Sequence, residues 1–109
     1  MIIMLAMLFP ALSSAALPEL DRDAVAYVLG DRTRWKILAE LSSGEPRMVK
    51  ELAKLLGRSS SVVSRHMTAL AYADMAVCER RLWRVPARFV VPGKRQLDYG
   101  HCLLRFPQP

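Results

Sequence analysis

From Asp21 to Leu70, apolar residues recur every three or four positions, the spacing of helices that bury one face. The stretch DRDAVAYVL predicts a helix with Ala24, Val25, Val28 and Leu29 on its inner face, Asp21 as N-cap and Gly30 as stop. In DRTRWKILAELSSG, Asp31 caps a second helix whose stripe is Ile37, Leu38 and Leu41, with Trp35 at its edge. Ser42, Ser43 and Gly44 end it, and Glu45-Pro46 turns the chain, Pro46 being compatible with the first turn of a helix. A short third helix over 47–56 turns Val49, Leu52, Ala53 and Leu56 inward and Lys50, Glu51 and Lys54 outward, and Gly57 closes it. The fourth helix, 59–72, buries Val63, Met67 and Leu70, and sets Ser60, Ser61, Ser64, Arg65 and Thr68 on the opposite side.

After Asp74 the pattern changes. VCERRLWRVPARFVV is rich in Val, Phe and Trp with rough alternation, which predicts strands, and Pro86 confines its segment to a sheet edge or a bulge. PGKRQ is a turn, and HCLLRF predicts a last short strand. The chain therefore reads as mainly α with a small β region.

Serine is a poor helix former, so a serine-studded helix face needs a reason. Helices 47–56 and 59–72, joined through Gly57-Arg58, have the layout of a helix-turn-helix. A recognition helix needs an apolar stripe to hold its pose and small polar groups with a cation opposite, so that it can approach a duplex closely. Hydroxyls of Ser60, Ser61, Ser64 and Thr68 can donate or accept at phosphates and base edges, and Arg65 can meet a guanine edge with two hydrogen bonds. Ser59 can cap the helix and leave other N–H groups for a phosphate, with Arg58 beside it. A solvated face with ordinary caps is the alternative for any single serine.

Charge bears on that choice. Of 109 residues, 1–45 hold four Lys/Arg against six Asp/Glu, and 46–109 hold twelve against four. The one-sided positive field suits a polyanion, nucleic acid before a membrane surface, or is a solvated basic surface. Arg80, Arg81 and Arg84, with Arg88 nearby, stand in the strand-rich stretch around Trp83, where they would neutralise phosphates.

Three motifs in order carry a family resemblance. Leu29-Gly30-Asp31 with Thr33-Arg34, then Leu52-Ala53 with Leu56-Gly57, then Ser61, Ser64, Arg65, His66 and Leu70 resemble the ArsR family of winged-helix repressors over about residues 24–92. Arg32 stands where the family commonly has proline, and Met67 where it has leucine. Ala73-Asp74-Met75-Ala76 replaces the usual Ala-Gly-Leu-Val, an exchange that Asp can tolerate in a left-handed turn. The resemblance implies a winged helix-turn-helix, a homodimer on double-stranded DNA with an imperfect palindrome, helix 59–72 in the major groove and a basic wing, 77–91, on the backbone. Metal-sensing members carry Cys-Val-Cys where this chain has Met48-Val49-Lys50, and no Asp/His-rich C-terminal helix occurs. No metal site and no cofactor are therefore expected.

No Ser-His-Asp set, paired carboxylates or Gly-rich phosphate loop is present, so an enzyme is not expected. The runner-up is a winged-helix protein-interaction module that does not touch DNA. Cys78 and Cys102 form no CxxC; they read as small buried residues, or as a redox pair whose meeting the sequence cannot establish. Residues 1–17 are an apolar segment preceding the domain at 18–109. They read as a helix buried against a partner subunit, a signal peptide lacking its basic region, or translation from the wrong start. The apolar run is too short to span a bilayer, so no membrane is expected and the cytoplasm is the expected compartment. Many ArsR-type chains end in a long dimer helix, whereas this one ends in strand-like sequence. Dimer contact would then rest on the N-terminal helix, or the wing would gain a third strand.

Overall fold

The computed structural model describes residues 20–108. The apolar segment 1–17 and its three readings lie outside the described residues. Four helices come first: α1 (Arg22–Leu29), α2 (Arg32–Leu41), α3 (Val49–Leu56) and α4 (Ser60–Tyr72). Two antiparallel hairpins follow, β1 (Val77–Glu79) with β2 (Leu82–Arg84), and β3 (Gln96–Asp98) with β4 (Leu103–Arg105). The architecture is a winged helix-turn-helix, with α3 and α4 as the helix pair and β1–β2 as the wing.

The helix limits follow from local chemistry. Asp21 Oδ1 accepts from the Asp23 N–H at 2.9 Å, and Asp31 Oδ1 from those of Thr33 and Arg34 at 2.8 and 3.1 Å. Each such cap contributes about 1 kcal/mol. Gly57 ends α3 with φ of 64°, a left-handed state that costs glycine little, and the Arg58 N–H donates back to the Ala53 carbonyl at 3.1 Å. The end of α4 is built the same way with Asp74 in the glycine slot at φ 59°, and the Met75 N–H reaches the Leu70 carbonyl at 2.9 Å. The tolerance expected of Asp at this turn is what the structure shows.

The core sits where the four stripes meet. Val25 and Val28, then Ile37, Leu38 and Leu41, then Leu52 and Ala53, then Val63, Met67 and Leu70 are buried, with Ala24, Leu29, Val49 and Leu56 at the margin. The C-terminal hairpin closes it. Leu97 is fully buried, Phe106 meets Trp35 edge-on at 5.2 Å between ring centres, and Tyr99 meets Phe89 at 5.1 Å.

Three expectations need correction. The third helix begins at Val49, not at residue 47, because Arg47 gives both backbone groups to Trp83 at 2.8 and 2.7 Å. The wing is 77–84 rather than 77–91: Pro86 has no N–H for a ladder, and Ala87–Phe89 form a 3-10 turn with the Arg88 guanidinium 4.5 Å from the centre of the Phe89 ring. The last strand does not enlarge the wing, since β4 pairs with β3, while Arg47 flanks β2 as the wing's third member.

Candidate nucleic-acid interface

The two edges of α4 differ sharply. Val63, Met67 and Leu70 are 0% exposed. Ser60, Ser61, Ser64, Arg65 and Thr68 are all exposed, as are Arg58 and Ser59 at the turn before the helix. Ser59 caps the helix, its Oγ accepting from the Val62 N–H at 3.3 Å, and lies 3.3 Å from Ser61 Oγ. Thr68 Oγ1 donates to the Ser64 carbonyl at 3.0 Å, so its hydroxyl is left with acceptor capacity only. The sequence therefore placed these residues on one outward surface, with Thr68 able only to accept there.

The wing tip is Arg80-Arg81, a two-residue connection fixed by the pairing of Glu79 with Leu82. Both arginines have positive φ, 54° and 67°, the pattern of a type I′ turn that Asn-Gly adopts without strain. Holding two ordinary side chains there costs on the order of 1 kcal/mol or more each. Arg84 stands apart. It pairs with Glu79 at 3.5 Å, and both partners are exposed enough that the pair is worth about 0–1 kcal/mol. Among the described residues, Arg80 and Arg81 have no acidic partner, so the tip is the wing's concentration of uncompensated charge.

A positioning residue escaped sequence reasoning. Arg34 Nε donates to the Val28 carbonyl at 2.8 Å, and another guanidinium N–H approaches the Tyr27 carbonyl at 3.4 Å. It thus satisfies the last carbonyls of α1, where a cation also opposes the helix dipole. A third guanidinium nitrogen lies 3.4 Å from His66 Nδ1, and so links α1 and α2 to the flank of α4. His66, one of the family-motif positions, thus meets the scaffold. Burial alone would push the Asp31 carboxyl up. The N–H groups of Arg34 and Thr33, with the charges of His66 and Arg34, outweigh it and hold the carboxyl below its usual range. The signal was local, an Asp-x-x-Arg start to α2, but the partners six and thirty-two residues away were not legible.

Cys78 is exposed on β1, Cys102 is half-buried before β4, and both are free thiols. Burial, with Asp98 adding to it, pushes the Cys102 thiol up, and burial pushes the Tyr99 phenol up. Among the described residues no group of three or more His, Cys, Asp or Glu is placed to hold a metal ion. No described helix is long and apolar enough to cross a membrane.

Residues 29–79 match the family model of a helix-turn-helix domain, a span that includes α2, α3, α4 and β1. Comparison with curated proteins and with solved structures gave no match. Fold and matched segment together define a domain of the winged helix-turn-helix class.

Proposed function

We propose that this chain is a sequence-specific DNA-binding transcriptional regulator that works without a metal. The observation that carries the reading is the exposed polar edge of α4, backed by a stripe with no exposure at all. In this reading α4 enters the major groove, with Arg65 on a base edge and Ser60, Ser61 and Ser64 on phosphates or bases. Arg58 and the capped N-terminus at Ser59 face a phosphate, and Arg80 and Arg81 neutralise the backbone beside the groove, Arg84 contributing less because Glu79 holds it. The resemblance of the three sequence motifs supports an ArsR-type repressor acting in the cytoplasm. It also supports a homodimer joined through the N-terminal segment on half-sites one helical turn apart.

Selection of bound duplexes from random oligonucleotides at two salt concentrations tests the reading. The expected result is an enriched, two-fold symmetric site whose affinity falls steeply with salt. Recovery of random sequence at both concentrations sinks it in favour of an interaction module.

A further inference from the structure

A groove of about 420 Å³ runs between α1 and the C-terminal half of α4. That size lies within the range of sites for small organic ligands. Its floor is small and apolar: Ala24 and Val28 from α1, Ala69 and Ala73 from α4. Its sides are two tyrosines that no core contact explains, Tyr27 at 74% exposure and Tyr72 at 91%. The Tyr27 ring is steadied by the Arg34 guanidinium, 5.4 Å from its centre. The lining carries one charge, that of Arg65.

These features specify an occupant. An open apolar groove flanked by two exposed tyrosines offers aromatic contact to a flat ring, and the lone guanidinium in its lining accepts an anion, so a planar aromatic carboxylate satisfies both. Charge decides against the two other candidates. Residues 1–18 contain no charged side chain and would cover Arg65 without pairing it. A second copy docked groove to groove would bring two Arg65 cations into one interface with no acidic residue in the lining to offset them.

We propose that the groove binds a small planar aromatic anion, and that this ligand withdraws Arg65 from DNA, so that ligand and operator exclude one another. The proposal rests on the DNA-binding reading and adds its regulation. The coupling is reciprocal: whatever factor the ligand takes from DNA affinity, DNA takes from ligand affinity.

The test uses the full chain, 1-naphthoate as probe, and the neutral 1-naphthamide as its control. Naphthoate should bind about tenfold or more tightly than the amide, a preference that Arg65→Gln removes. Naphthoate at saturation should weaken binding of the selected duplex by about tenfold, with the same factor measured in reverse. Ala24→Trp fills the groove from the α1 wall, and naphthoate should then no longer release DNA; Ala24→Leu is the milder filling if the tryptophan variant unfolds. Unaltered naphthoate binding in both filled variants overturns the site, and binding that leaves DNA affinity untouched overturns the coupling. Naphthoate ignored by a full chain that still binds DNA also overturns the proposal, leaving the groove to residues 1–17 or a second copy. A chain that binds no DNA defeats the functional reading, while the naphthoate-to-amide ratio and the filled variants still judge the groove.

Discussion

The two hairpins have the same plan, three residues paired with three, and opposite fates. In β3–β4, Leu97 and Leu104 are buried, and the rings that flank the hairpin lock it onto α2 and the 3-10 turn. In β1–β2 only Trp83 is even half-buried, and the apex carries two arginines in left-handed backbone. One hairpin is held by what it packs against. The other is held at its root, through Arg47 and Trp83, and leaves its tip to an outside surface. The two edges of α4 repeat the contrast within a single helix.

Several measurements break or sharpen this division. The largest effect is expected from Leu97→Ala, which should cost about 2–5 kcal/mol in urea unfolding, while Leu82→Ala in the wing changes stability by about 0.5 kcal/mol or less. Equal losses would erase the distinction between the hairpins. Arg65→Ala should weaken specific DNA binding by roughly 1–3 kcal/mol and relax preference at one base position without moving the unfolding midpoint. A uniform loss over all sequences would make Arg65 a phosphate contact instead. Replacing Arg80 by Asn and Arg81 by Gly should raise stability by about 1 kcal/mol, since the tip then adopts its turn without strain. The same change should lower the slope of log affinity against log salt by nearly two units. An unchanged slope removes the tip from the interface.

The smallest effect concerns Asp31. Its folded carboxyl titrates below its unfolded value, so its contribution is present above the ordinary value of about pH 3.9 and is lost as pH falls through the lower folded value. Asp31→Ala should cost about 1 kcal/mol at neutral pH and nothing at the acid end, as read from paired melts. A constant difference at every pH would show that the charge of the cap does not matter.

The helical half was legible because its information is local. Asp21, Asp31 and Ser59 cap by reaching two or three residues ahead, and the apolar stripes name their own inner faces. Asp74 was legible for the same reason, as a residue able to stand in for glycine at one backbone angle. The β half was read as antiparallel strands with a basic hairpin, but not with its partners or register. Nothing near Arg47 marks it as a partner of Trp83, and Arg80-Arg81 lacks the Asn or Gly that announces a two-residue turn. In the candidate site, the exposed edge of α4 followed from periodicity. Thr68 turning its hydroxyl onto the Ser64 carbonyl, Glu79 neutralising Arg84 and Arg34 joining three helices depend on contacts that no spacing rule encodes.

The double backbone bond between Arg47 and Trp83 gives the molecule a fixed gauge. Because the lead-in to α3 and the root of the wing are stitched together, the distance from α4 to the arginine apex is set in advance. If α4 and the apex contact one duplex as proposed, that duplex must match the distance, and inserting one base pair between the two contacted stretches should be tolerated worse than inserting one beyond either.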